Sequence, residues 1–329
     1  MSDKEEMKKM IREEMQRERE AANQRSQRKF YFMSGLPRSG STLLAAILNQ
    51  NPRFHAGASS PVVSMMQSIE QTLMGDELYN ANPKPQQASM IIANLLPMFY
   101  TDVSAPVVFD LNRSWVARIG WIKGYFGIDQ PKIIVPVRDM EEVLASFIAM
   151  LRRNPTIAEN GTLNFIDRIM TQRGIPLTDD NRCSWLAGPE GVVGLSFDAI
   201  RRALMEGNQK YLHFVEYNDL INNQQETMRG IYEFLEEEYF EHDFDNIQSK
   251  PHEGDLQVYG LADMHEVRSQ ISKSDIDPTQ ILSEEVLQAC QGTDIWRQLE
   301  LMEEDEEVYD AAVIEQEASN ETGTQIIGA

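Results

Sequence analysis

Through the middle of this chain of 329 residues, short apolar runs alternate with longer stretches whose apolar positions recur at helical spacing. Residues 30–33, 106–110, 132–137 and 211–215 read as strands. Residues 42–48, 115–126, 141–152, 192–205 and 227–235 have the period and length of helices. Strands that alternate with helices predict a parallel sheet covered on both faces, a three-layer α/β arrangement. In such a sheet the ligand site forms at the carboxyl ends of the strands. Ser34, Asp110 and Arg138 stand at such ends. Between residues 154 and 190 the pattern loosens around Pro155, Pro176, Gly188 and Pro189. We expect an inserted region there, one that shapes a substrate pocket. No internal repeat is visible.

Composition narrows the class. Apolar residues make up 42% of the chain, enough for a sizeable core, and no apolar run has the length that spans a membrane. The amino terminus is too charged to read as a signal peptide. Two cysteines, Cys183 and Cys290, are too few for a disulfide framework. Each reads as a small buried hydrophobe in a protein of the reducing cytoplasm. The formal net charge of −22 argues against nucleic acid as a partner.

That charge is uneven. Residues 1–28 mix both signs around a thin stripe of Met7, Met10, Ile11 and Met15, which predicts an exposed helical arm and a contact for a second subunit. After Arg297 there is no further Lys or Arg, while acids follow one another from Glu303. Residues 298–329 therefore predict a disordered acidic tail, leaving residues 29–297 as the α/β domain. An anionic ligand must find a local positive site in a negative protein, so each arginine near a loop matters.

The densest chemistry lies in residues 34–42, SGLPRSGST. A strand feeding a glycine-bearing loop that opens a helix presents free backbone N–H groups and the positive end of the helix dipole to a phosphate. The spacing Gly35-x4-Gly40-x-Thr42 fits the P-loop, but Ser41 stands where that pattern puts lysine, and the basic residue, Arg38, lies inside the loop. A nucleoside triphosphatase needs that lysine on its β/γ-phosphates, so a different phosphate-like group is expected. A second cluster follows the third strand. Asp139 predicts an N-cap, with Glu142 completing a capping box. Arg138 then sits beside the new helix, with Ser146 about two turns on. A planar guanidinium and a hydroxyl suit a phosphate monoester, although a surface pairing of Arg138 with a helix-start acid is the alternative.

These motifs carry a family resemblance. SGLPRSGST and VRDMEEVLASF resemble the 5′-phosphosulfate loop and the 3′-phosphate motif of the sulfotransferases that use 3′-phosphoadenosine 5′-phosphosulfate (PAPS). The likeness extends through PVVFDLNRSW, GVVGLSFDAIRRAL and LADMHEVRS to Trp296 and Arg297, covering about residues 29–297, and is similar to a bacterial group. It departs where cytosolic members carry lysine at Arg38, and a lysine and histidine near the sequence Asp110-Leu111-Asn112-Arg113.

The resemblance implies a P-loop fold and transfer of a sulfuryl group from PAPS to a hydroxyl or amine by in-line displacement, with no metal. It implies that Leu36, Pro37, Arg38, Ser39, Gly40, Ser41 and Thr42 cradle the 5′-phosphosulfate, that Arg38 faces the bridging oxygen, and that Arg138 and Ser146 hold the 3′-phosphate. Tyr217 is similar to the tyrosine that meets the adenine, and Arg268 to a group at the cofactor's 3′ end. A packed tyrosine and a helix-face ion pair are their alternatives.

For the base that receives the acceptor's proton, Asp110 is the first candidate and His55 the second, with Glu70 behind them. Asp110 capping a turn is the alternative, and Arg113 would pair with Asp110 or touch the sulfate. Met65, Met66, Met74, Met90 and Met98 read as core or pocket lining. The acceptor is a small molecule, glycan, lipid or peptide. The rival readings are a P-loop small-molecule kinase and a non-catalytic nucleotide-binding or assembly protein.

Overall fold

The computed structural model describes residues 28–57, 59–154, 163–248, 254–262 and 264–298. All of the acidic tail but Gln298 and all of the amino-terminal arm but Arg28 lie outside the described residues, as do residues 155–162 of the expected inserted region.

Five strands form one parallel sheet: β1 (Lys29–Met33), β2 (Phe54–Ala56), β3 (Val107–Leu111), β4 (Ile133–Val137) and β5 (Leu212–Glu216), in the order β2-β3-β1-β4-β5. Four of them are the apolar runs read from the sequence. The three residues of the edge strand β2 are too few to show a period. All pairings are parallel, with Met33 opposite Leu111 on one side and Ile134 on the other.

Side-chain alternation sends the strands to two faces. Phe32, Val108, Ile133, Val135 and Val137 pack on one face with Trp115 and the helices carrying Val63, Leu96 and Ile200. Tyr31, Met33, Phe109, Ile134 and Val215 pack on the other with Leu44, Ile47, Met228 and Ile231. The near-continuous apolar strands follow from this two-sided burial.

Among the described residues the helices of eight or more residues are α1 (Ser41–Leu48), α2 (Val62–Gly75), α3 (Pro85–Phe99), α4 (Ile119–Phe126), α5 (Met140–Arg153), α6 (Phe165–Gln172), α7 (Asp179–Ala187), α8 (Val192–Met205) and α9 (Gln224–Leu235). The helix expected over residues 115–126 begins with a 3-10 turn, Trp115–Arg118, before α4. Two expectations need correction. The loosened region contains α6 and α7, whose Ile166, Met170, Cys183 and Leu186 bury against Phe147 and Ile148 of α5. It therefore builds core beneath α5, with Pro176 between its two helices and Gly188 and Pro189 after the second. Of the five methionines, Met66 is core, while Met65, Met74, Met90 and Met98 are exposed on the outer faces of α2 and α3. Both cysteines are buried and unbridged.

Candidate functional site

The loop after β1 is shaped by its contact with β4. A Cβ on Gly35 would lie 2.0 Å from the carbonyl oxygen of Pro136 and 2.6 Å from its nitrogen, so only glycine lets the chain cross there. Proline in a central strand ordinarily leaves a ladder acceptor without a donor. Here its ring nitrogen abuts the loop, while its carbonyl accepts from the Leu36 N–H at 2.9 Å. The Ser39 hydroxyl shares its proton between the carbonyls of Leu36 (2.6 Å) and Pro136 (2.9 Å). Leu36 and Ser39 thus anchor the loop from below, and their side chains are fully buried.

Arg38 (φ 62°) and Gly40 (φ 84°) turn the loop through left-handed backbone. For arginine that conformation costs about 1–2 kcal/mol, a strain of the kind concentrated at ligand-holding loops. Gly40 occupies the N-cap of α1 without a side-chain cap. The first N–H groups of the helix thus have no intrahelical partner, and the positive end of its dipole stands at the wall of a cavity lined by Gly40, Ser41, Thr42 and Leu43.

That cavity encloses about 410 Å³. Its wall holds five arginines, Arg38, Arg113, Arg138, Arg153 and Arg268, against two acids, Glu266 and Asp275. In a chain of net charge −22 this is a local reversal of sign. The Arg38 guanidinium donates from Nε to the Ser146 hydroxyl (3.2 Å) and from Nη1 to the Met264 carbonyl (2.7 Å). Arg138, 6% exposed, donates from Nε to Glu142 (2.8 Å) and from Nη1 to the Arg38 carbonyl (3.2 Å). Its guanidinium lies 4.0 Å from the centre of the Tyr217 ring. Burial and the neighbouring Arg38 charge lower the pKa of Arg113 to about 10, as expected of a cation held against another in a poorly solvated wall.

Most of the residues read as donor-binding therefore converge. Pro37, Arg38, Gly40, Ser41, Thr42, Arg113, Arg138, Ser146, Tyr217 and Arg268 line one cavity. Arg268 donates to Ser272 (3.1 Å) and lies outside any helix, so the helix-face ion pair is not what holds it. The capping box is corrected too. Asp139 occupies the N-cap of α5, but its side chain makes no cap bond. It pairs instead with Arg297 (2.8 Å), while Glu142 pairs with Arg138. Arg297 also binds Glu216 through Nε (2.6 Å) and Nη2 (2.5 Å), fastening the last described segment to the tips of β4 and β5.

Asp110 and His55 are not among the residues that line the cavity. Asp110 is fully buried, accepting from the Tyr100 hydroxyl (2.9 Å) and Trp115 Nε1 (2.6 Å), and burial raises its pKa. It caps no turn and does not pair with Arg113. His55, on β2, sets its ring edge-on to Tyr100 at 5.8 Å, and Glu70 accepts from the Tyr125 hydroxyl (3.0 Å).

Sequence reading missed most of the cavity's outer wall, residues 264–276, beyond Arg268. It also missed a buried pair within it, in which His265 Nδ1 lies 2.8 Å and 3.1 Å from the two carboxylate oxygens of Asp255. The segment has few apolar positions in period, so only HEVRS offered a signal. Among the described residues no cluster of three or more His, Cys, Asp or Glu side chains is placed to hold a metal ion. No described helix is long and apolar enough to cross a membrane.

A family model described as a sulfotransferase domain matches residues 29–311. No curated protein matches the chain. Among solved structures, the sulfotransferase domain from the curacin biosynthetic pathway is 15% identical, with 79% of this chain and 95% of that one covered and a TM-score of 0.50. That likeness speaks to the fold. The sulfotransferase domain of the Synechococcus PCC 7002 olefin synthase is 18% identical, covering 77% and 92%, with a TM-score of 0.40. A sulfotransferase from Alicyclobacillus acidocaldarius is 14% identical, covering 68% and 87%, also with a TM-score of 0.40.

Proposed function

Since the chain belongs to the sulfotransferase domain family, we propose that it moves a sulfuryl group from PAPS to a hydroxyl or amine acceptor. The observation that carries this reading is the convergence, on one cavity, of two anion grips borne by neighbouring strands. After β1 come the left-handed loop and the open amino end of α1. After β4 come Arg138 and, in the second turn of α5, Ser146. A ligand with two phosphate groups on one sugar and a planar base beside them suits this wall, because the Tyr217 ring lies next to both Gly40 and the Arg138 guanidinium.

Bound there, PAPS supplies a sulfuryl group already activated by a phosphate leaving group. The residues of this chain do the rest. The N–H groups at the start of α1 hold oxygens of the 5′ end. Arg38 and Arg113 place positive charge where the leaving oxygen gains negative charge, which is where preorganised charge accelerates a loose displacement. Arg138 and Ser146 hold the 3′-phosphate, the group that separates this donor from ATP. Ser41 in place of the P-loop lysine agrees with that choice. Two buried, unbridged cysteines agree with a reducing, cytoplasmic setting.

The test is direct. Adenosine 3′,5′-bisphosphate should raise the melting temperature, and ATP with Mg²⁺ should not. Labelled sulfate should then pass from PAPS to at least one member of an alcohol, phenol and amine panel. Stabilisation by ATP with Mg²⁺ alone would refute the reading in favour of a kinase.

A further inference from the structure

The neighbouring strands β4 and β5 each hand over to a helix that begins with an acid. Asp139 is the N-cap of α5, and Glu216 the N-cap of a short helix, Tyr217–Asn222. The register sets Val137 opposite Glu216, so both acids stand at the same end of the sheet. An N-cap acid ordinarily accepts from the N–H groups of its own first turn. Neither does so here. Both carboxylates turn to one guanidinium. Arg297 donates to Glu216 from Nε at 2.6 Å and from Nη2 at 2.5 Å, and its Nη1 lies 2.8 Å from Asp139. The Trp296 indole N–H adds a bond to Glu216 at 3.1 Å. Its ring is buried in the same core as Val137, which gives the guanidinium a fixed base.

The residue before Asp139 is Arg138, and the residue after Glu216 is Tyr217. Those two form the cation–ring pair of the cavity wall, 4.0 Å from guanidinium to ring centre. Arg297 is not among the residues that line the cavity. It braces the pair from behind, through the backbone on each side. It also cancels charge, because two bare carboxylates beside a phosphate grip would repel the ligand, and partly buried charges are weakly screened. Resting on the PAPS reading above, we infer that Arg297 is a positioning residue for the donor's 3′-phosphate, acting through Arg138 and Tyr217. A lysine cannot replace it fully, since an ammonium lacks the fork that spans the Glu216 carboxylate while reaching Asp139. Residue 297 thus sets how sharply the cavity separates a 3′-phosphorylated adenosine from one without that group.

Calorimetry on the full chain should compare adenosine 3′,5′-bisphosphate with adenosine 5′-monophosphate. Arg297→Met should lower the preference for the bisphosphate by about tenfold, the scale of one charged contact. Arg297→Lys should fall between that variant and the wild type, and it carries the test if Arg297→Met does not fold. Ile295→Ala removes core packing from the same segment and none of its ion pairs. It should lower the melting temperature and leave the preference unchanged. In the ligand-free protein, the Nε–H proton signal of Arg138, displaced by the Tyr217 ring, should move in both Arg297 variants. A preference unchanged in both would overturn the assignment. So would an equal loss of preference in Ile295→Ala, which would make the segment a structural support only. An Arg138 signal that stays in place in both Arg297 variants would overturn it without any ligand. Failure of the wild type to bind the bisphosphate would instead defeat the PAPS reading, and the role of Arg297 with it.

Discussion

Replacing Arg138 by alanine gives the sharpest test of how the cavity reads its ligand. The side chain is almost fully buried, so its charge acts in a poorly solvated setting. Glu142 and the Arg38 carbonyl take Nε and one Nη1 proton, and the guanidinium lies over the Tyr217 ring, 4.0 Å from its centre. Nη2 is thereby left, pre-aimed, for a phosphate oxygen. A hydrogen bond between charged groups contributes about 1.5–3 kcal/mol, and the ordered guanidinium surrenders little freedom on binding, which puts this contact toward the top of that range.

A loss of about 2–3 kcal/mol corresponds to roughly 30- to 140-fold in dissociation constant. Titration calorimetry should compare adenosine 3′,5′-bisphosphate with adenosine 5′-monophosphate, which differs only in the 3′-phosphate. The wild type should prefer the bisphosphate by a factor of that order, and Arg138→Ala should erase the preference while binding the monophosphate almost as before. Arg138→Lys should recover only part of it, because an ammonium keeps the charge and loses the fork and the stack. A preference for the bisphosphate that survives in Arg138→Ala would refute the assignment, whatever the absolute affinities.

Two further outcomes follow from buried geometry. Asp110→Asn turns an amide N–H toward donors from Tyr100 and Trp115. It should cost about 1–3 kcal/mol of folding stability, while bisphosphate affinity stays within twofold. Denaturant titration and calorimetry together check this, and a stable variant with lost affinity would contradict it. Because burial raises the folded-state pKa of Asp110 above its unfolded value, the folded protein binds this proton more tightly. That contribution to stability is full below the unfolded pKa and is lost as pH rises through the folded one. The cost of Asp110→Asn should therefore be largest in acid and shrink as pH rises, and a cost that grows with pH would contradict this sign. Gly35→Ala places a methyl group within 2.0 Å of the Pro136 carbonyl oxygen, so it should abolish bisphosphate binding or prevent folding. A variant that folds and binds like the wild type would show that the loop can lift from β4.

Much of this architecture can be read from residue pattern alone, and the exceptions have physical causes. The four longer strands announce themselves because burial on both faces makes them apolar throughout. β2, three residues at an edge, lacks the length to do so. The two segments that meet at the cavity are legible because each joins a strand end to a helix start, and in the first of them close backbone approach at Gly35 and left-handed backbone at Gly40 call for glycine. Asp110 misleads because a carboxylate at a strand tip looks the same in sequence whether it faces a ligand or a tryptophan. Asp139 misleads in a related way. Its helix-start position is right, but a guanidinium 158 residues further along the chain outcompetes the local N–H groups. Asp255 and His265 meet through a loop with no regular period, and only folding discloses their contact.

Pro136 has one more implication. Its carbonyl anchors the loop proposed to hold one end of the ligand, and Arg138, two residues on and just past the end of β4, is proposed to hold the other. The separation between the grips is thus fixed by a few backbone bonds and behaves as a gauge of set length. Molecules should be sorted by the span between their two charges as strictly as by the charges themselves. Shifting the ribose phosphate by a single carbon, as in adenosine 2′,5′-bisphosphate, would then leave one jaw empty.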